Sequence, residues 1–152
     1  MKKLIVRFAV LTGIIFSGAV VLSSCSKNDT NTATYSSNKD YFTSNMLNRD
    51  LIVSFAIDDT TNITVPLSGY TFHLVDSSAF SGSITASNIT RTVVGTWSID
   101  ASYNTITFSF PQVLEPYIIF ISKQWQFVNR SSPTIMLKAA DGESDQLQLI
   151  KK

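Results

Sequence analysis

The chain has 152 residues, 44% of them hydrophobic, with twelve basic and eleven acidic side chains, one histidine and one cysteine. That length allows one ordinary domain. A single cysteine excludes an internal disulfide and a cysteine metal cluster, and charges scattered singly exclude the basic footprint that binding to a phosphate backbone requires.

The first segment reads as an export signal. Lys2, Lys3 and Arg7 are followed by an uncharged, mostly apolar stretch from Phe8 to Leu22. It is shorter than the about 20 residues of a membrane span, carries Gly13 and Gly18, and closes on Ser23-Ser24. Positive, apolar, then small is the order that export machinery and signal peptidase read, so residues 1–24 are expected to be a cleaved leader; an uncleaved membrane anchor is the alternative. Its removal leaves nine basic and eleven acidic residues and moves the formal charge from +1 to −2. Leu22-Ser23-Ser24-Cys25 resembles the bacterial lipobox. The resemblance implies diacylglycerol on the Cys25 sulfur and a fatty acyl group such as palmitate on its amine. One acyl chain holds a protein only marginally at about 0.8 kcal/mol per buried methylene, whereas two or three hold it firmly. The expected partner is thus a membrane, through acyl chains on Cys25. The expected place is the cell envelope, and Ser26, which is not aspartate, resembles the arrangement that permits sorting to the outer membrane.

From Cys25 to Asn45 the chain is mostly Ser, Thr, Asn, Lys and Asp. Such a composition predicts a flexible tether, because it buries too little to offset its ordering entropy. Tyr41 and Phe42 stand out, either beginning the domain or forming a helical turn with Met46 and Leu47. Residues 46–152 are expected to be the folded domain. Short alternating runs then follow one another, the signature of antiparallel strands. Leu51, Val53, Phe55 and Ile57 share the first face, and Asp58-Asp59 breaks the run as a turn. Next come Tyr70-Phe72-Leu74, Ile84-Ala86, Val93-Gly95-Trp97-Ile99, Ile106-Phe108-Phe110, Trp125-Phe127, Ile135-Leu137 and Leu147-Leu149. About eight strands with short turns predict an all-β, up-and-down meander. Gln112 to Lys123 does not alternate: Tyr117 to Ile121 is apolar throughout and reads as a buried strand or a short buried helix.

The ordered pieces Gly69-Tyr70-Thr71-Phe72, Gly82-Ser83-Ile84-Thr85-Ala86, Gly95-Thr96-Trp97-Ser98, Ile106-Thr107-Phe108, Trp125-Gln126-Phe127, Ile135-Met136-Leu137 and Asp145-Gln146-Leu147 carry a family likeness. In them the chain resembles the small lipocalin-like lipoprotein domains of Bacteroidota-type bacteria, from about Asp50 onward. It departs from that pattern at Asn48-Arg49-Asp50, where a Gly-x-Trp strand often opens the domain, and at Asp76 to Ser81, which replaces a tight turn. The resemblance implies a barrel or half-barrel and little about activity.

Six aromatics, Tyr70, Phe72, Trp97, Phe108, Trp125 and Phe127, either line a cavity for a small apolar ligand or fill the core of a barrel just wide enough for side chains. Tyr117 to Ile121 is a lid across the barrel mouth, an interaction patch, or ordinary buried structure. His73 lies on the strand face opposite Tyr70 and Phe72, with no cysteine or second histidine to share a metal. No Gly-x-Ser-x-Gly stretch presents a nucleophile. Asp58 and Asp59 point to opposite sides of a strand, and Asp141-Gly142-Glu143-Ser144-Asp145 lacks the ligand spacing of a calcium loop and fits an Asp-Gly hairpin. Asp59-Thr60-Thr61 resembles a short acceptor motif for O-glycosylation in these bacteria. The expectation is a lipid-anchored, non-enzymatic protein without cofactor or metal. It binds either a small hydrophobic ligand or an envelope protein or glycan, and no nucleic acid.

Overall fold

The computed structural model describes residues 35–110, 115–130 and 133–152. The expected leader, Cys25 and the first part of the expected tether lie outside the described residues. The elements are α1 (Asn38–Asn45), β1 (Asp50–Asp58), β2 (Thr61–Asn62), α2 (Thr64–Ser68), β3 (Thr71–Ser78), β4 (Ser81–Ser87), β5 (Thr92–Ile99), β6 (Thr105–Ser109), α3 (Pro116–Ile121), β7 (Gln124–Asn129), β8 (Thr134–Ala139) and β9 (Gln146–Lys151).

Eight strands close into an antiparallel up-and-down barrel. β1 pairs with β3, each later strand pairs with the next, and β9 returns to β1 from Leu51↔Lys151 to Ile57↔Gln146. This last pairing makes a barrel rather than a half-barrel and leaves no long open edge. The two-residue β2 pairs only with β1, outside the ring. Every strand read from the alternation is present, with one correction inside β1. Its register shifts between Val53 and Phe55, so Ala56 takes the interior place while Phe55 and Ile57 lie half-buried. A bulge inserts one residue and flips everything after it to the other face, which simple alternation cannot foresee.

The barrel has two ends of different construction. At one, the β3–β4, β5–β6 and β7–β8 connections meet α1 and Lys152, whose N–H donates to the Asp50 carbonyl at 2.9 Å. At the other stand the β1–β2 turn, α2, the β4–β5 turn, α3 and the β8–β9 loop. The tether expected through Asn45 ends earlier than the composition suggested. Ser37 caps α1, its hydroxyl accepting from the Asp40 N–H at 3.1 Å, and Tyr41, Phe42 and Met46 are buried in the core. The helix is held to the barrel rim by Asn38 donating to the Ser102 carbonyl at 3.1 Å and Tyr41 to the Thr134 carbonyl at 3.4 Å. Tyr41 and Phe42, which stood out of the polar stretch, do begin the domain on a helical turn with Met46, and these three side chains suffice to plug a barrel mouth.

The unbroken apolar run is α3, a helix. Pro116 sits in its first turn, where a missing N–H costs nothing. Ile118, Phe120 and Ile121 turn inward while Tyr117 and Ile119 face outward. Among the described residues no helix is long and apolar enough to cross a membrane.

Candidate functional site

Layers of side chains fill the barrel. Phe72, Leu74, Ile84, Phe108, Leu147 and Leu149 meet Ile121 of α3 around a gap with about 0 Å³ for a water molecule. Fully burying a side chain of this size contributes roughly 1.5–3 kcal/mol. An apolar ligand of ordinary size needs a cavity of about 300 Å³ or more. The six aromatics singled out by the sequence are all buried, and two of them, Phe72 and Phe108, line this gap, which is too narrow for such a ligand.

They fall into two groups. At the α1 end, the Trp97 indole N–H donates to the Val75 carbonyl at 3.0 Å, and its ring lies 5.2 Å from that of Phe42. Trp97 stands across from Gly82 in the β4–β5 register. A Cβ at Gly82 would come within 1.9 Å of the Val75 oxygen and 2.7 Å of the indole nitrogen, so only glycine leaves room for the ring. Phe127 meets the edge of Tyr41 at 6.2 Å between ring centres. At the α3 end, Trp125 donates to the Ile121 carbonyl at 3.0 Å and packs 5.2 Å from Phe120. Tyr70 donates to Glu115, whose other oxygen accepts from Arg91 at 3.2 Å. Burial, then the bond to Glu115, pushes the Tyr70 phenol up to about 12. The phenol is thereby held in its neutral, proton-donating form.

A charged latch that sequence reasoning missed also lies at the α3 end. The Lys123 ammonium contacts Asp145 and reaches Glu143 at 2.8 Å, with the Phe120 ring centre 5.5 Å away. Asp145 is 2% exposed and accepts from the Asp59 N–H at 2.7 Å. Burial pushes its carboxyl up, but Lys123 and the Asp59 amide outweigh it and hold it below the usual carboxylate range. Burial likewise lowers Lys123, and its two carboxylate partners more than reverse that. One latch thus joins the β6–β7 connection, the β8–β9 loop and the β1–β2 turn. The only sequence trace is an acidic residue placed just before an alternating strand. The rest of Asp141 to Asp145 is the expected Asp-Gly hairpin, with Gly142 at φ +92° and Asp141 accepting from the Glu143 N–H at 3.1 Å.

His73 is not part of any such assembly. Its Nδ1 lies 2.7 Å from Asp50 Oδ1 on the neighbouring strand, both side chains substantially exposed. Among the described residues, no group of three or more His, Cys, Asp or Glu side chains converges as a metal would need.

Both ends carry exposed apolar side chains, Val75, Phe80 and Val128 at 41%, 44% and 56% toward α1, but the most exposed stand toward α3. Val65 on α2, Ile89 on the β4–β5 turn and Ile119 on α3 are 82%, 102% and 55% exposed, and Tyr117 joins them on α3. All four stand on connections of the α3 end. At the α1 end, a groove of about 510 Å³ runs between the helix and the β3–β4 connection, over Phe42, Trp97 and Tyr103 and between Lys39 and Asp76.

No family model, curated protein or solved structure matches the chain. The functional reading therefore rests on the residues themselves.

Proposed function

We propose that this protein is a lipid-anchored, extracytoplasmic and non-enzymatic module of the cell envelope, of the lipocalin-like lipoprotein kind, that recognises a protein partner through the α3 end of its barrel. The observation that carries the choice is the filled interior, with about 0 Å³ open to water in the gap beneath α3. It favours a partner over the small apolar ligand, because opening such a gap means separating well-packed side chains.

The α3 end has the character of a contact surface. Soluble proteins place large aliphatic groups on exposed turns sparingly, and several on one rim mark interaction sites. Val65, Ile89 and Ile119 offer methyl surface with Tyr117 as the one ring among them, a mainly aliphatic face that suits a protein better than a glycan. Besides the buried Asp145, five carboxylates (Asp58, Asp59, Glu115, Asp141 and Glu143) stand at this end against Arg91, Lys123 and Lys138. The complementary partner surface is thus apolar with a basic rim. The leader-like residues 1–24 and the lipobox-like Leu22 to Cys25 support the anchor.

Photo-crosslinking in intact cells tests the reading, with the crosslinker at Ile89 or Ile119 and, as a control, at Thr96 on the barrel wall. We expect one protein captured from both rim positions, not from Thr96, and lost on Val65→Asp. Stoichiometric fatty acid inside the natively purified domain, with no rim-specific crosslink, would overturn it. The anchor has its own test: a fatty-acid label incorporated by the natural chain and absent from Cys25→Ala.

A further inference from the structure

The groove at the α1 end is a second recognition site, and its chemistry is unlike that of the α3 rim. Its floor is apolar, formed by Phe42, Leu47, Trp97 and Tyr103, and their polar atoms are already used. The Trp97 N–H is bound to the Val75 carbonyl, and the Tyr103 hydroxyl donates to the Ala79 carbonyl at 3.2 Å. Its two walls carry opposite charges, Lys39 on α1 and Asp76 on β3, with Ser77 beside the latter. Both charged side chains are exposed, and neither forms an ion pair among the described residues. Asp76 uses one oxygen to accept from the Ser78 N–H at 3.1 Å. Next to the groove, Phe80 is 44% exposed, its ring centre 5.6 Å from that of Tyr103.

Chain geometry says what lies nearby. Cys25 is ten residues before Tyr35, the first described residue. Ten residues span at most about 35 Å when fully extended. With acyl chains on Cys25, the α1 end is therefore held within that distance of the lipid surface. The two ends also differ in how they meet phosphates. At the α1 end Lys39, Arg49, Arg130, Lys151 and Lys152 face the carboxylates of Asp40, Asp50, Asp76 and Asp100. None of those five cations forms an ion pair among the described residues, whereas at the α3 end Arg91 and Lys123 are paired and Lys138 alone is not.

We infer that this groove seats the headgroup of a phosphatidylethanolamine-type lipid in the anchoring bilayer, a site that rests on the lipid-anchored reading above. Lys39 takes the phosphate. Asp76 and the Ser77 hydroxyl accept from the primary ammonium, and Phe80 enters the interfacial layer, where aromatic side chains are favoured. The inference sets a chemical distinction. A primary ammonium donates three hydrogen bonds, and the quaternary ammonium of phosphatidylcholine donates none. Docking this way turns the α3 end outward, toward its partner.

The test uses the processed, acylated chain in vesicles. The natural sequence has one cysteine, so Ala101→Cys at the α1 end and Ala140→Cys at the α3 end each add the only free thiol for a fluorophore. Quenching by a spin-labelled lipid is read in vesicles of phosphatidylcholine alone and of equal parts phosphatidylcholine and phosphatidylethanolamine. We expect several-fold stronger quenching at position 101 than at 140 in the ethanolamine vesicles. That difference should shrink in phosphatidylcholine, and on Asp76→Asn or Lys39→Gln, with the circular dichroism unchanged. Equal quenching at the two positions of a chain that floats with the vesicles would overturn the groove and leave the anchor standing. A difference that is the same in both lipids, or unmoved by Asp76→Asn, would also overturn it. A chain that carries no acyl mass and does not float removes the anchored reading, and the groove with it.

Discussion

Both barrel mouths are plugged by a short helix bearing inward aromatic and aliphatic groups, but the two plugs are fastened differently. α1 is held by ring packing and by neutral hydrogen bonds from Asn38 and Tyr41. The α3 end is fastened by charge, through Lys123 with Asp145 and Glu143, and Arg91 with Glu115. Apolar packing neither titrates nor is screened by ions, whereas ion pairs both titrate and are screened. Carboxylates with depressed pKa values stand at both ends. Asp145 at the α3 end is buried and joins three connections, whereas Asp40 and Asp100 at the α1 end bond only within their own turns. Acid should therefore loosen the α3 mouth first.

The largest test of this contrast removes the packing. Trp97→Ala at the α1 end and Trp125→Ala at the α3 end should each cost about 3–5 kcal/mol, and Phe42→Ala at least about 3 kcal/mol. Urea denaturation measures all three, and a near-neutral Phe42→Ala would make α1 an appendage rather than a plug. Gly82→Ala comes next, at about 3 kcal/mol, because its methyl would displace the Val75 carbonyl or the Trp97 ring. Asp145→Asn should cost on the order of 2 kcal/mol, since it leaves a half-buried ammonium with a weakened partner.

The latch carries a sign. Asp145 has a depressed pKa in the folded protein. Its contribution is therefore complete above the unfolded value of about 3.9 and is lost as pH falls below that, toward the folded value. Hydrogen exchange measured from about pH 5 down to pH 3 should show β7 and the β8–β9 loop gaining exchange, after correction for intrinsic rates, before α1 does. Uniform loss of protection at both ends would break the comparison. The smallest effect belongs to Asp50→Asn. Its pair with His73 is exposed, and the expected change in stability is below about 0.5 kcal/mol.

Much of the barrel was legible because strands report themselves locally. Phe72 alternating with His73, or Leu147 with Gln148, states a buried and an exposed face in adjacent letters. The glycine that a Trp97 ring needs lies fifteen residues away in β4 and means nothing until the strands are in register. Lys123 and Asp145, twenty-two residues apart, are equally unreadable as a pair. Isolated charges in a sequence give no sign of which will meet across a barrel mouth. The groove between Lys39 and Asp76 is harder still, since its helix was hidden in what composition marked as tether.

The sequence by itself determined the strand count, the order of turns and most interior residues, because side-chain alternation is a property of each strand alone. It also carries the leader-like and lipobox-like residues, whose meaning needs no fold. Only the tertiary structure decided that the sheet closes, that the six aromatics are all buried, and that two helices stop its mouths in different ways. Closure, filling and charge pairing depend on distances between residues far apart in the chain, and those distances exist only once the strands have been wound into a ring.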